Sequence, residues 1–470
     1  MNDGNDVLRE VRKEGFYIPR RYVLAVLAFF GLFNVSCMRS NINVTILAMI
    51  NTTQDNITQT GLFNWNSKQQ GILIGSYYYG YAAANIPGGI LASKFGFRNL
   101  CAITMLVASV LTLTFPLVAY YNFYFAVACR ATLGLFQGGT VPALNYAWSN
   151  WAPPLEVSIL NSIGLSGIIF GQLVVYPLAG VIAHNVGWEA TYYITGGMTL
   201  IWLIFFLIFA SDTPSSNKWI SKTERAFIEK SIGKRELSDE PKLIPWKAIF
   251  SSKCIWALFA THSADAWFQY TFAAILPTYM AEVFHYDITQ SGLVMILPFL
   301  TQWIVLVLAS QTTDLLRKKK IVTTTRIRKI NTLTSCLVSG VLPVLSGYTG
   351  RDRFAVISLF TISFAIGGLH YPGYLSTALD VAPRYSGIVF GISNTMANTM
   401  GFLGPFAAGY MITDQQSVAL WENLFWLTFG INLTGGLIFA IFGSGVEQTW
   451  AKKDYKEIFC RETEKLHQTT

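Results

Sequence analysis

Stretches of about twenty apolar residues recur along this chain, and most of them carry no charged side chain. Of the 470 residues, 52% are hydrophobic and 13% are charged, whereas a soluble globular protein carries about 25% charged residues. One helix of about 20 apolar residues crosses the hydrocarbon core of a bilayer. The sequence therefore predicts an all-α membrane protein with twelve spans: Tyr22–Ile50, Gly71–Ser93, Leu100–Tyr120, Phe123–Trp148, Val157–Ala183, Thr191–Ala210, Cys254–Met280, Ile288–Ala309, Ile330–Gly347, Phe354–Leu379, Gly387–Met411 and Asn423–Gly445.

Basic residues are distributed unequally between the loops that join these spans. Lys94 and Arg98 follow the second span, a dense basic run between 317 and 329 follows the eighth, and the C-terminal tail is also basic. Because Lys and Arg concentrate in cytoplasmic loops, both termini are predicted to be cytoplasmic. The net charge of +8 reflects this orientation pattern and does not indicate nucleic-acid binding.

The longest polar interruption divides the chain into two groups of six spans. Within it, Ser221 and Glu224 form a capping pattern that predicts a surface helix, Ser221–Ile232. The sequence pieces at 88–98 and 309–320 also resemble each other, and repeated halves are typical of secondary transporters. The predicted organisation is an N-terminal cytoplasmic tail (1–21), an N-terminal six-helix bundle (22–210), a cytoplasmic central loop (211–250), a C-terminal six-helix bundle (251–446) and a C-terminal cytoplasmic tail (447–470).

Arg39 lies in the middle of the first predicted span, where a charge costs about 2.5–3.5 kcal/mol on insertion scales. A guanidinium in this position must face protein or water. We predict that it faces a water-filled central cavity and binds an anionic substrate, because its planar fork donates two parallel hydrogen bonds to a carboxylate or phosphate. Asn43, at i+4, extends the same polar face. The alternative is a structural arginine paired with an acid or with helix carbonyls.

Arg130 is the second arginine within a predicted span, in "CRATLGLFQGG" (129–139). Helical spacing places Gly134, Gln137 and Gly138 on the same face, and the glycines allow a neighbouring helix to approach closely. Two roles are open for Arg130, and both can hold together. It either binds substrate or donates hydrogen bonds to a break in a neighbouring helix.

Titratable residues of the C-terminal half are candidates for ion coupling. His262 and Asp265 lie three residues apart on one face of the seventh span. A buried carboxylate there can take up and release a proton as the cavity opens and closes, or it can serve as a fixed countercharge. His370 lies in "GGLHYPGY" (367–374), whose glycines and proline predict a kinked helix. We interpret His370 as a polar core residue.

Five longer motifs are spread over nearly the whole chain: "GSYYYGYAAANIPGG" (75–89), "WSNWAPPLE" (148–156), "LPTYMAEVF" (276–284), "LDVAPRYSGIVFGISNT" (379–395) and "GSGVEQTWA" (443–451). They resemble the Major Facilitator Superfamily, and more narrowly its organic-anion branch, which contains sialin, the vesicular glutamate transporters and the type I phosphate cotransporters. The resemblance implies two six-helix bundles around a central cavity that opens alternately to each side. It also favours Tyr81 over its neighbour Tyr77 as a cavity residue.

Departures from the family pattern bear on the substrate and on the coupling ion. Ile74 and Asp265 stand where the glutamate transporters have a histidine and an arginine, which argues against glutamate and brings the chain closer to sialin. Leu133 and Gln137 stand where sialin has two glutamates used in proton coupling. The coupling ion, H⁺ or Na⁺, is therefore open, with Asp265, His262 and Gln137 as candidate positions.

The chain has no Walker motif, no metal-spaced His/Cys cluster and no nucleophile beside a base, so we expect neither an enzyme, an ATP-driven pump nor a bound metal or cofactor. The predicted function is ion-coupled secondary transport (symport) of a small organic anion, such as a sialic-acid-like acidic sugar or another carboxylate. Alternatives are a sodium-dependent phosphate- or urate-type cotransporter and a non-transporting receptor. The expected protein is a monomer in a lysosomal, vesicular or plasma membrane, and the luminal or extracellular loop offers glycosylation candidates at Asn51 and Asn56.

Overall fold

The structure is a computed structural model that describes residues 18–50, 52–54, 57–59, 62–153, 156–232, 244–349, 352–382 and 385–451. The glycosylation candidates Asn51 and Asn56 lie outside these residues, as do most of the two tails and part of the central loop.

Helices occupy each predicted span, and a short antiparallel pair of strands, β1 (Thr52–Gln54) and β2 (Ile57–Gln59), lies between the first two spans. In the N-terminal half the helices are α1 (Arg20–Ser40), α2 (Ile42–Met49), α3 (Ser67–Phe95), α4 (Phe97–Tyr121), α5 (Phe123–Gln137), α6 (Thr140–Trp151), α7 (Val157–Asn185), α8 (Trp188–Phe209) and α9 (Lys222–Ile232).

The C-terminal half begins with α10 (Trp246–Ser251), which precedes the seventh span. The remaining helices are α11 (Lys253–Phe284), α12 (Ile288–Val294), α13 (Ile296–Lys318), α14 (Thr324–Gly347), α15 (Arg353–Gly367), α16 (Thr377–Val381), α17 (Ser386–Met411) and α18 (Val418–Phe442).

Eight helical stretches among the described residues are long and apolar enough to cross a membrane. The all-α fold class is thus confirmed, while the number of twelve spans and the cytoplasmic position of the termini stay predictions. The eight stretches are Arg20–Met49, Phe97–Tyr121, Ile159–Asn185, Trp188–Phe209, Ile288–Lys318, Thr324–Gly347, Arg353–Val381 and Val418–Phe442.

Within the described residues, four predicted spans are interrupted helices. The first breaks at Asn41 and the fourth at Gly138 and Gly139. The eighth breaks at Met295. In the tenth, α15 gives way to short 3₁₀ turns before α16, as the glycines and proline of 367–374 predict. Each break frees main-chain carbonyls that need another donor.

The described residues cluster into two compact units that do not follow the order of the chain. The first contains the N-terminal half together with Thr271–Phe299 and Phe402–Ser417. The second contains Glu240–Tyr270, Leu300–Gly401 and Val418–Thr470. The predicted bundle boundaries, which follow chain order, stay a prediction, and the two units are described separately below.

Ion pairs near the predicted cytoplasmic side fix the loops of each unit. In the first unit, Arg21 Nε lies 2.6 Å from Glu156 Oε2, and Arg21 Nη1 lies 2.9 Å from Glu224 Oε1. Glu224 belongs to α9, which begins after Ser221 as predicted, and its N–H donates to Ser221 Oγ at 3.1 Å. In the second unit, Arg328 Nε lies 2.8 Å from Asp380 Oδ2.

The core of the second unit packs the start of α11 against α16 and the segment that follows α18. Phe259, Val381 and Phe439 are completely buried in this cluster, and Trp450 lies beside them. These residues come from distant parts of the sequence. The cluster therefore fixes the start of α11, which carries Asp265, against α16, which follows His370.

Candidate functional site

Arg130 lies in the interior of the first unit, on the face of α5 that also carries Gln137. Its side chain is among the largest that are fully buried, with 2% exposed. Nη1 donates to the carbonyl oxygen of Met38 at 3.0 Å, and Nη2 donates to that of Arg39 at 2.7 Å. Both acceptors lie in the last turn of α1. Among the described residues, Arg130 Nε has no hydrogen-bond partner.

The break after α1 explains why these carbonyls accept from a side chain. A carbonyl in the last turn of an α-helix has no partner four residues ahead when the helix stops. Here the helix stops at Ser40 and resumes at Ile42. A guanidinium presents two parallel donors, so Arg130 satisfies two adjacent carbonyls at once. This is the structural role that the sequence left open beside substrate binding.

Gly134 in α5 and Gly138 directly after it set the distance between α5 and α3. A Cβ built on Gly134 would lie 1.8 Å from the carbonyl oxygen of Tyr77, and one on Gly138 would lie 2.4 Å from that of Tyr81. Any side chain at these positions would push the helices apart. The close approach that the sequence predicts for these glycines is confirmed, and it brings the tyrosines of α3 beside Arg130.

The rings of Tyr77 and Tyr81 stack on each other, with centroids 5.5 Å apart. The Arg130 guanidinium lies 5.6 Å from the centroid of the Tyr77 ring, within the range of a cation–π contact. Tyr77 donates its hydroxyl to Gln137 Oε1 at 2.8 Å. Gln137 is thus a hydrogen-bond partner of Tyr77, and as an amide it carries no titratable proton.

Arg39 lies two residues before the break at Asn41 and is 8% exposed. The positive charge of Arg39 interacts electrostatically with the hydroxyl groups of Tyr77, Tyr78 and Tyr81. Neighbouring helices of the first unit therefore carry four of the predicted site residues, Arg39, Arg130, Tyr81 and Gln137. Their roles in substrate binding or coupling stay predictions.

Asn43 follows the break and belongs to α2. Its Nδ2 donates to the Tyr176 hydroxyl at 3.0 Å and to the Ala273 carbonyl at 3.2 Å. Both amide hydrogens are used, so only the carbonyl oxygen of Asn43 can face a ligand in this conformation. The role of Asn43 in substrate binding stays a prediction.

Asp265 belongs to the second unit, where the break in the tenth span surrounds it with polar groups. It is 4% exposed. The Tyr374 hydroxyl donates to Asp265 Oδ2 at 2.9 Å, and His370 Nδ1 lies 3.5 Å from the same oxygen. The sequence separates Asp265 from Tyr374 by 109 residues.

His262 lies near this cluster but faces a different partner. Its Nδ1 lies 2.7 Å from Ser393 Oγ on α17, and its ring centroid is 5.4 Å from that of Tyr374. The predicted shared face of His262 and Asp265 is present, since both reach Tyr374. The carboxylate, however, contacts His370 and not His262.

Sequence reasoning missed Tyr374 and interpreted His370 as a polar core residue. The available signal was the helix-breaking run at 367–374, because an interrupted helix turns side chains that a regular helix would direct elsewhere. Nothing in the sequence indicated that this run faces Asp265.

Known proteins resemble this chain over most of its length. The model of the Major Facilitator Superfamily matches residues 28–405. The chain belongs to the Major Facilitator Superfamily. Among curated members, human sialin is 36% identical over 455 residues, which cover 93% of this chain and 91% of sialin. The vesicular glutamate transporter 3 of Danio rerio is 32% identical over 444 residues, covering 93% of this chain and 75% of that protein.

Solved structures of this superfamily share the fold at low sequence identity. A D-xylose–proton symporter superposes with a TM-score of 0.68 at 16% identity, covering 90% of this chain and 98% of that one. A bacterial homologue of the human lysosomal transporter Spinster, in an inward-facing and occupied conformation, gives 0.65 at 14% identity, covering 91% and 96%. These matches support the fold alone.

Superfamily membership confirms the predicted recognition, including the branch that contains sialin and the vesicular glutamate transporters. It also confirms a multi-pass membrane transporter as opposed to an enzyme. The substrate and the coupling ion are matters for proposal.

Proposed function

We propose that this protein is a secondary active transporter that carries a small organic anion, an acidic sugar or another carboxylate, by alternating access and with ion-gradient coupling. Sialin and the vesicular glutamate transporters, its relatives over most of the chain, support the transport of organic anions. The proposed anion site lies in the first unit, around Arg39 and Arg130.

The proposal rests on the hydrogen bonds of the Arg130 guanidinium. Its two Nη groups contact main-chain carbonyls, which are neutral and leave the full positive charge in place. The first six predicted spans contain two arginines and no acidic residue. In a low-dielectric interior this excess charge produces a positive potential that attracts an anion.

Arg39 is the proposed contact residue, and Arg130 the residue that fixes its backbone. Arg130 donates to the carbonyl of Arg39 itself, so the position of the Arg39 side chain depends on Arg130. Tyr81, 6% exposed and stacked on Tyr77, supplies an aromatic surface and a hydroxyl that interacts electrostatically with Arg39.

Uptake into proteoliposomes tests the proposal. A panel of labelled anions, comprising N-acetylneuraminate, glucuronate, lactate, glutamate, phosphate and urate, is offered with pH, sodium and voltage gradients imposed one at a time. Preferred uptake of a carboxylate supports the proposal. Preferred uptake of phosphate or urate with sodium supports the alternative cotransporter, and saturable binding with no flux under any gradient supports a receptor.

Variants of Arg39 test the assigned residue. Arg39→Ala is expected to lower the apparent affinity for the transported anion at least tenfold, since a charge-assisted hydrogen bond contributes about 1.5–3 kcal/mol. Arg225→Ala is the matched control, because Arg225 is 46% exposed and pairs only with Glu229 four residues away in the described structure. An Arg39→Ala protein that is monodisperse and transports with wild-type affinity would remove Arg39 from the site.

A further inference from the structure

We propose that Asp265 and His370 together form the proton-binding site of this transporter, with Tyr374 as the positioning residue. This inference rests on the proposed function, and it assigns the coupling ion as H⁺ and the second member of the pair as His370. It moves the coupling site from the fourth span, where Leu133 and Gln137 lie, to the second unit.

The three side chains converge on one oxygen atom. Asp265 Oδ2 accepts the Tyr374 hydroxyl at 2.9 Å and lies 3.5 Å from His370 Nδ1. The rings of His370 and Tyr374 are stacked, with centroids 5.9 Å apart and an angle of 24° between their planes. All three residues are less than 10% exposed, so water does not dissipate their interaction.

The hydrogen bonds of His370 determine which of its nitrogens is basic. Nδ1 contacts the carbonyl oxygen of Gly367 as well as the carboxylate of Asp265. Both oxygens accept when Asp265 is ionised, so Nδ1 carries the hydrogen. In the neutral ring Nε2 then has the lone pair. The Tyr374 hydroxyl donates to the carboxylate, and an incoming proton is held by the pair, on the Asp265 carboxylate or on His370 Nε2.

Charge counting shows what this proton does. With His370 neutral and Asp265 ionised, the pair has a net charge of −1, and with one added proton on either residue its net charge is zero. A buried single charge is costly, whereas a buried pair of opposite charges is compensated. The protonated pair is therefore the form that favours the occluded state through which the transporter passes. The proton enters from water on one side and leaves to water on the other, and no other bond changes.

In the part of the chain that the structure describes, the groups that interact with Asp265 include no lysine or arginine. The titratable groups that act on Asp265 are His370 and Tyr374. From α14, the buried Cys336 thiol interacts electrostatically with the Asp265 carboxylate. From the interrupted tenth span, the Tyr371 ring lies 4.2 Å from that of His370.

On α11, His262 is a further titratable residue near the pair in the described structure. Its ring interacts electrostatically with that of His370, and its Nδ1 contacts Ser393 Oγ on α17. Protonation of both rings would place two positive charges close together, so one proton per cycle is expected.

The test compares two transport modes of the same proteoliposomes. Counterflow of labelled N-acetylneuraminate, or of the anion that the panel above selects, is measured at equal pH on both sides. Accumulation is then measured with a pH gradient and clamped voltage, while pyranine inside the vesicles reports proton movement. One proton per monovalent anion gives about tenfold accumulation per pH unit.

For His370→Gln and Asp265→Asn, we expect the ratio of gradient-driven accumulation to counterflow to fall about tenfold, with loss of the anion-dependent pyranine signal. Tyr374→Phe removes the hydroxyl oxygen that donates to the carboxylate. The rate of proton-driven uptake, measured over a range of pH, is therefore expected to have a midpoint about one pH unit higher in this variant. His184→Gln, an exposed histidine at the end of α7, is the control and should change neither mode.

The outcomes separate this inference from the proposed function. Absence of counterflow for every anion with the wild-type protein contradicts the proposed function. Counterflow with an unchanged accumulation ratio in His370→Gln, or accumulation driven by sodium and not by pH, overturns the proton site alone. If the Asp265 and His370 variants are recovered in low yield, the midpoint shift of Tyr374→Phe decides, and an unshifted profile also overturns the site.

Discussion

Replacement of Arg130 by lysine tests whether this residue chiefly stabilises the break after α1. Both side chains are cationic, so the cost of burying the charge is similar in the two proteins. The difference is geometric, because an ammonium is a point donor whereas the guanidinium fork reaches Met38 O at 3.0 Å and Arg39 O at 2.7 Å together. Lysine at position 130 leaves one of these carbonyls without a donor.

The expected magnitude follows from the cost of one unsatisfied buried carbonyl, about 1–3 kcal/mol. Loss of the contact with the Tyr77 ring, which lies 5.6 Å from the guanidinium carbon, adds about 1 kcal/mol. Arg130→Lys is therefore expected to destabilise the protein by about 2–4 kcal/mol. Because the loosened backbone carries Arg39, the proposed contact residue, the apparent affinity for the anion should fall together with the stability.

Thermal unfolding followed by fluorescence-detected size-exclusion, together with initial rates over a range of anion concentrations, measures both quantities. Arg225→Lys changes an exposed arginine of α9 and should leave both unchanged. If Arg130→Lys is as stable as the wild type and its KM rises tenfold or more, then Arg130 contacts the substrate, and the two carbonyl contacts do not determine its role.

Three further predictions concern other parts of the first unit. Gly134→Ala should destabilise by about 1–3 kcal/mol because its Cβ has no space, whereas Gly197→Ala, with nothing within 4 Å, should raise the unfolding temperature. Glu224→Gln breaks a buried ion pair and should cost about 3 kcal/mol, seen as a lower unfolding temperature. Glu282 lies beyond the predicted end of the seventh span, and burial, with a smaller contribution from Asp414, raises its pKa to about 7 from the usual 4.5. The folded protein thus binds an extra proton between these values, so stability should fall by about 3 kcal/mol as pH rises through that window. In Glu282→Gln this dependence should be absent, and an equal slope in both proteins would contradict the assignment.

The glycines of α5 illustrate what a sequence pattern can predict about packing. Their spacing on one helical face indicated a close helix contact, and the carbonyl of Tyr77 lies where a Gly134 side chain would be. Helical periodicity determines which residues share a face. It does not determine which helix packs there, and the partner α3 became evident only from the structure.

The sequence by itself determined that this chain is an all-helical membrane protein with cations in its interior. Those conclusions follow from hydrocarbon-length apolar runs and from the cost of burying charge, both of which are local properties of the chain. The approach of His370 and Tyr374 to Asp265, more than 100 residues away, was decided by tertiary structure. So was the use of Arg130 at the break after α1. Hydrogen bonds between distant segments depend on how helices end and pack, and no periodicity within one segment specifies them.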